Sequence, residues 1–257
     1  MGPLTIHFYA IAILTGIAVA IYWGNARFVA AGGAPGRVSE VAIIAVPMGV
    51  IGGRIYHVIS SPQGYFGDNG RPIEIFYIWQ GGLGIWGAIS LGLAAAWWSF
   101  KRNKISAANS LTFGVFADAL APGVVVAQAI GRWGNWFNVE LFGRPTTLPW
   151  GLEVPMRFRP DGFTEFATFH PTFIYESIWC LIVAFLLLRF EKFRMAPGSI
   201  FIAYVALYSF GRIFIESLRI DDANLILGLR LNIWVGILVC AVSSATLIKR
   251  WKIATRR

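Results

Sequence analysis

Charge is what this chain has least of. Only 14% of its 257 residues are Asp, Glu, Lys or Arg, where an ordinary soluble domain carries about 25%. The deficit runs the whole length, which sets aside a water-soluble globule and points to a polytopic membrane protein. Cysteine is nearly absent too. Cys180 and Cys240 both lie in apolar runs, without metal-ligand spacing. Buried free thiols are therefore expected, with no disulfide, no metal and no cofactor. The N-terminal stretch has no basic residue ahead of its apolar run, so the positive region of a cleaved signal peptide is missing and a retained first span is expected. Internal repeats and low-complexity segments are also lacking, which reads as a single membrane domain, 1–257.

What is present is oil and aromatic rings. Hydrophobic residues make up 56% of the chain, with 11 Trp and 20 Phe, and the mean hydropathy is +0.62. A helix needs roughly 20 apolar residues to cross a bilayer. That length predicts an all-α protein with seven transmembrane helices, at about 8–24, 41–60, 79–100, 110–130, 172–190, 198–217 and 232–248. Pro47 and Pro122 interrupt the second and fourth, a departure tolerated inside membrane bundles. With seven spans, one set of alternate loops and the C-terminal tail hold thirteen Lys and Arg, and the opposite set holds seven. The positive-inside rule then puts the N-terminus outside and the C-terminus in the cytoplasm. It accounts for the net charge of +9 without a nucleic-acid partner. The longest connection, about 131–171, falls outside. Its aromatic, apolar composition predicts a structured element at the membrane surface.

Ionisable groups in or beside membrane spans are costly and suggest function with a nearby partner. The run GRWGNWFNVELFGRP, 131–145, holds Arg132, Asn135, Asn138, Glu140 and Arg144 among three glycines. On a helix, Arg132, Asn135 and, less well, Asn138 share a face. Together they supply the many donors that an anion with several oxygens requires. A solvated loop in which Glu140 pairs with Arg144 is the plainer alternative. In YSFGRIFIESLR, 208–219, Arg212 and Glu216 stand four apart. They read either as a structural ion pair or as a second cation for the same anion, since two guanidinium forks suit a phosphodiester. FHPTFIYE, 169–176, brings His170, Tyr175 and Glu176 to the same membrane level, although His170 also suits a helix anchor. His7 and Tyr9 begin the first span, where a lone Tyr is commonly an interface anchor. His57 in the second span reads as structural, and Arg54 is left open between site and scaffold.

These segments carry a resemblance. Residues 131–143 match every fixed position of the Gly-Arg-x-Gly-Asn-x-x-Asn-x-Glu-x-x-Gly signature of the prolipoprotein diacylglyceryl transferase family. HPTFIYE resembles that family's His-Pro-x-x-x-Tyr-Glu element, GRIFIESLR its Arg-x-x-x-Glu-x-x-Arg segment, and WQGGLGIWGA its Gly-Gly segment. The resemblance implies seven spans in the bacterial cytoplasmic membrane and a site towards the outer leaflet. It also implies transfer of the diacylglyceryl group of phosphatidylglycerol to the lipobox cysteine of a preprolipoprotein. Glycerol 1-phosphate would be released, as the first step of lipoprotein maturation.

Carried over to this chain, Arg132 and Arg212 bind the phosphate and stabilise it as it leaves, with Tyr9 and Asn135 orienting lipid and thiol. Asn138, Glu140, Gly143, Glu216 and His7 fall at substrate-binding positions. One departure matters: Trp86 stands where many members carry a histidine proposed as the base. His7 and His170 are then the candidates for taking the thiol proton. The competing reading is a lipid or small-molecule transporter. Such proteins often show a repeat and a midplane site, whereas this chain has no evident repeat and its cluster lies to one side.

Overall fold

An apolar backbone in hydrocarbon can satisfy its N–H and C=O groups only internally, so long uncharged stretches are driven into helix. The computed structural model describes residues 8–66, 70–78, 81–102, 111–193, 195–221 and 225–254. Its helices are α1 (Phe8–Ala30), α2 (Arg37–Ser60), the single turn α3 (Gln63–Phe66), α4 (Ile85–Arg102), α5 (Phe113–Asn138), α6 (Thr172–Phe190), α7 (Ser199–Leu218) and α8 (Leu231–Ala254). Six of them, α1, α2, α5, α6, α7 and α8, are long and apolar enough to cross a membrane. The chain is an all-helical polytopic membrane protein. α4 falls where the third span was expected, but it starts only at Ile85 and its 18 residues end in Lys101 and Arg102. The first residues of that expected span, 79–80, lie outside the described ones.

α5 overruns its expected end by eight residues, to Asn138. The polar signature is therefore the last two turns of a helix, and those turns are packed against protein. An added Cβ on Gly134 would meet the Tyr9 ring at 2.4 Å, and one on Gly131 would meet Ile13 at 3.2 Å. Hydropathy ends the span at the first polar residues, whereas the packing carries the helix on. The connection that follows is structured: β1 (Leu152–Glu153) pairs antiparallel with β2 (Thr168–Phe169) over a small core of Phe142, Val154 and Phe169.

The chain divides into two compact units. The first comprises residues up to Arg27 and from Gly114 onward. Within it, small residues let α1 lie directly on α5, as membrane helices commonly do; Gly16 approaches the Ala127 carbonyl and Gly123 faces Ala20. α5, α6 and α7 share a core of Val125, Cys180, Val183, Leu187 and Ala203. Both cysteines are free. Asp118 of α5 accepts the backbone N–H groups of Gly198 at 2.6 Å and Phe201 at 2.8 Å. It thereby satisfies orphan donors at the first turn of α7.

The second unit is Phe28–Phe113. Here α2 and α4 meet through glycines: an added Cβ on Gly52 would lie 2.3 Å from the Gly87 carbonyl, and Gly84 donates its N–H to Gly53 at 2.8 Å. Arg54 is buried and turns out to belong to the scaffold. Its guanidinium donates to the carbonyls of Ile75 at 2.7 Å, Gly81 at 2.8 Å, Gly82 at 3.2 Å and Glu74, with its face over Tyr65. Gly81 and Gly82 both hold positive φ, at 88° and 71°, which only glycine adopts freely. The Gly-Gly pair thus forms the turn that Arg54 grips. His57 stacks edge-on against Tyr65, in keeping with a structural role.

Candidate active site

Helices α5, α6 and α7, together with the segment that follows α7, bring four arginines and three carboxylates into one connected network. Glu176, at the start of the second turn of α6, is almost wholly buried. Arg132 of α5 reaches it at 2.8 Å and Arg212 of α7 at 2.7 Å. Tyr208, one turn before Arg212, donates its hydroxyl to the same carboxylate at 2.7 Å. Arg212 also binds Glu216, which has no exposed surface. The other Glu216 oxygen accepts Arg230 at 2.9 Å and Asn232 at 3.1 Å. Arg219 lies 3.9 Å from Glu216, and Arg219 and Arg230 both close on Asp221, at 2.6 and 2.9 Å. Burial pushes the Asp221 carboxyl up, but its hydrogen bonds and charge contacts with Arg219 and Arg230 outweigh that and hold it below the usual carboxylate range.

A buried charge is stable only when paired and hydrogen-bonded, and the network obeys that rule with one unit left over. Among the described residues, Arg132, Arg212, Arg219 and Arg230 face Glu176, Glu216 and Asp221, a surplus of one positive charge. Arg132 and Arg212 remain partly accessible, with side-chain exposures of 24% and 18%. Each guanidinium has five N–H donors, so spending some on carboxylates leaves others for an incoming anion.

Beyond Arg132 on α5, a second cluster is built from amides. Asn135 and Asn138 donate to the same oxygen of Glu140, at 2.9 and 3.0 Å. The expected alternative, a Glu140–Arg144 pair, does not form among the described residues. Asn135 is 2% exposed and its side-chain amide oxygen is buried with no partner among the described residues, an unusual deficit that calls for an explanation. The chain turns back sharply to make these contacts. Val139 and Leu141, on either side of Glu140, hold φ of 51° and 58°, and a left-handed β-branched residue marks real strain. Gly143 then threads between three groups: an added Cβ would meet the Leu218 carbonyl at 2.8 Å, Thr172 at 2.8 Å and His170 at 3.0 Å.

The structure thus joins Arg132, Arg212 and Glu216 in one network, and Asn135, Asn138 and Glu140 in the next. Tyr9 packs its ring on Gly134 and has no hydroxyl partner among the described residues. His170 stands apart from both clusters: its Nδ1 lies 3.0 Å from the Tyr175 hydroxyl, which accepts Trp150 Nε1 at 2.9 Å. His7 lies outside the described residues. Trp86 sits in the first turn of α4, in the second unit. Sequence reasoning quoted Glu176 but assigned it no task, and it gave Arg230, Asp221 and Tyr208 none either. A lone carboxylate entering the run IWCLIVAFLLL was the available signal for Glu176, because ionisable groups inside spans are rarely idle.

Comparisons with known proteins show what the whole chain is similar to. Residues 1–249 match the family model described as prolipoprotein diacylglyceryl transferase. Phosphatidylglycerol–prolipoprotein diacylglyceryl transferase 2 of Streptomyces coelicolor is 51% identical over 249 residues, covering 96% of this chain and 77% of the relative. The like-named protein of Cutibacterium acnes is 52% identical over 233 residues, covering 90% and 77%. That of Streptomyces griseus is 47% identical over 259 residues, covering 100% and 76%.

Proposed function

The chain belongs to the prolipoprotein diacylglyceryl transferase family, and from that premise we propose how its polar clusters carry out the family's reaction. It is a membrane transferase acting on phosphatidylglycerol and prolipoprotein, and the group it moves is the diacylglyceryl unit. The acceptor is the lipobox cysteine thiol of a preprolipoprotein. A thioether forms as glycerol 1-phosphate departs. α4 serves as the third of seven spans in one membrane domain, with the N-terminus outside and the C-terminus in the cytoplasm. The enzyme lies in the bacterial cytoplasmic membrane with its site towards the outer leaflet. The bias of Lys and Arg between alternate loops supports that orientation.

The observation that carries the reading is the single surplus positive charge around Arg132 and Arg212. A phosphodiester brings one negative charge, so lipid binding neutralises the network. When the glyceryl C–O bond breaks, a second negative charge grows on the phosphate. Preorganised donors facing it lower the barrier, because they need no reorganisation at the moment of reaction. Arginine suits this task, since its charge persists at any physiological pH and its fork matches two phosphate oxygens. Glu216 acts by pinning Arg212. Asn135 presents its unpartnered oxygen to a substrate donor, Tyr9 orients lipid beside Gly134, and Gly143 lets the substrate-binding loop close. Asn138 and Glu140 border the thiol, and His7 remains a candidate contact.

The test is direct. Purified protein is incubated with phosphatidylglycerol and a lipobox peptide, and the peptide is weighed by mass spectrometry. A gain of one diacylglyceryl group on cysteine is expected, with glycerol phosphate released in equal amount. An unchanged peptide mass would sink the reading.

A further inference from the structure

The reaction must remove a proton from a thiol of pKa about 8.5. The carboxylates of the two clusters are not equivalent as acceptors. Glu176, Glu216 and Asp221 are each bound by at least two guanidiniums, which occupy their lone pairs. Glu140 is different. Its donors are two neutral amides, both on one oxygen, and its second oxygen has no protein partner among the described residues. The strained residues Val139 and Leu141 fix the carboxylate against Asn135. Asn135 is three residues beyond Arg132 on the same face of α5, about 4.5 Å further along the axis at 1.5 Å per residue.

Resting on the function proposed above, we infer that Glu140 is the general base of the transfer. The thiol proton passes to its free oxygen. The sulfur electron pair then forms the bond to the glyceryl carbon, and the carbon–oxygen bond breaks with its pair on the phosphate. The proton on Glu140 is handed to the departing phosphate, leaving glycerol 1-phosphate as a monoanion and the carboxylate restored. The other charged or titratable groups of the surrounding elements are engaged elsewhere. Arg132 and Arg212 are held by Glu176 and Glu216, Arg219 and Arg230 by Asp221, and His170 by Tyr175. Arg144, on the same loop, is exposed and makes no side-chain pair among the described residues.

The test compares two peptides on Glu140→Gln, which keeps an oxygen for Asn135 and Asn138. With the cysteine peptide, transfer is expected to slow by about 10²–10⁴-fold, the usual worth of a general base, and to lose the acid limb of its pH–rate profile. With a selenocysteine peptide, already ionised at neutral pH, the variant is expected to stay within about threefold of wild type, because no base is then required. Equal loss with both peptides, or an unimpaired cysteine reaction, overturns the assignment. Wild-type enzyme inert towards both peptides would instead overturn the function itself. If Glu140→Gln does not fold, Asn138→Ala keeps the question open. It removes one hydrogen bond to the charged carboxylate, so the acid limb is expected to move to higher pH, and an unmoved limb overturns the inference.

Discussion

Arg132 and Arg212 stand on different helices and meet on the two oxygens of one carboxylate, 2.8 and 2.7 Å from Glu176. The anion between them sets the gap between the two guanidiniums. Glu176→Gln is expected to lower kcat by about 10–100-fold, the worth of a charged hydrogen bond at 1.5–3 kcal/mol. Combining it with Arg132→Ala should cost less than the sum of the two changes, as residues sharing one network do. Full additivity in the measured rates would mean the carboxylate does not act through the arginines.

Replacing either guanidinium with an ammonium separates charge from fork. Arg132→Lys and Arg212→Lys keep the charge but give up bidentate geometry. Each is expected to lose at least about 10²-fold in transfer, on the scale of one removed oxyanion donor. The alanine variants should nearly abolish transfer while the helical circular dichroism persists. Normal turnover in either alanine variant would remove that arginine from the mechanism.

Acid should loosen the end of the network that Asp221 closes. Its folded pKa lies below its unfolded one, so its contribution to stability is present above the unfolded value of about 3.9. It is lost as pH falls through the folded value. In detergent, the wild-type thermal midpoint is therefore expected to drop in strong acid. Asp221→Asn should melt lower at neutral pH and show a shallower acid dependence. Parallel curves for the two proteins would contradict this.

Gly143 offers a steric test. Its added Cβ would press on the Leu218 carbonyl and on Thr172 at 2.8 Å, contacts that force a shift costing about 1–3 kcal/mol. Gly143→Ala should lose activity and lower the thermal midpoint. Gly64→Ala, which meets nothing within 4 Å, is the control expected to change neither.

Much of the site was legible because helical spacing is a local property. Arg132 with Asn135, and Arg212 with Glu216, follow from the 3.6-residue period alone. Which face of α6 meets α5 and α7 depends on the rotation of three helices, and no spacing encodes it. Glu176 therefore stayed a quoted letter rather than a bridge. Arg54 stayed open for a similar reason, because its partners are backbone carbonyls, which every sequence has. Hydropathy marks an apolar span of about 110–130 but is silent on how far the helix runs past it, because Arg132 and Asn135 pack against protein. The strain at Val139 and Leu141 was invisible, since neither residue type suggests a left-handed backbone.

Asp118 gives the site a fulcrum. α5 and α7 start from the contact between its carboxylate and the N-terminal turn of α7, and both run to Glu176 with a guanidinium near each far end. They behave as the two legs of a caliper, about 21 Å from Asp118 to Arg132 at 1.5 Å per residue. The spacing of Arg132 and Arg212 is thereby tied to a contact at the opposite end of the two helices.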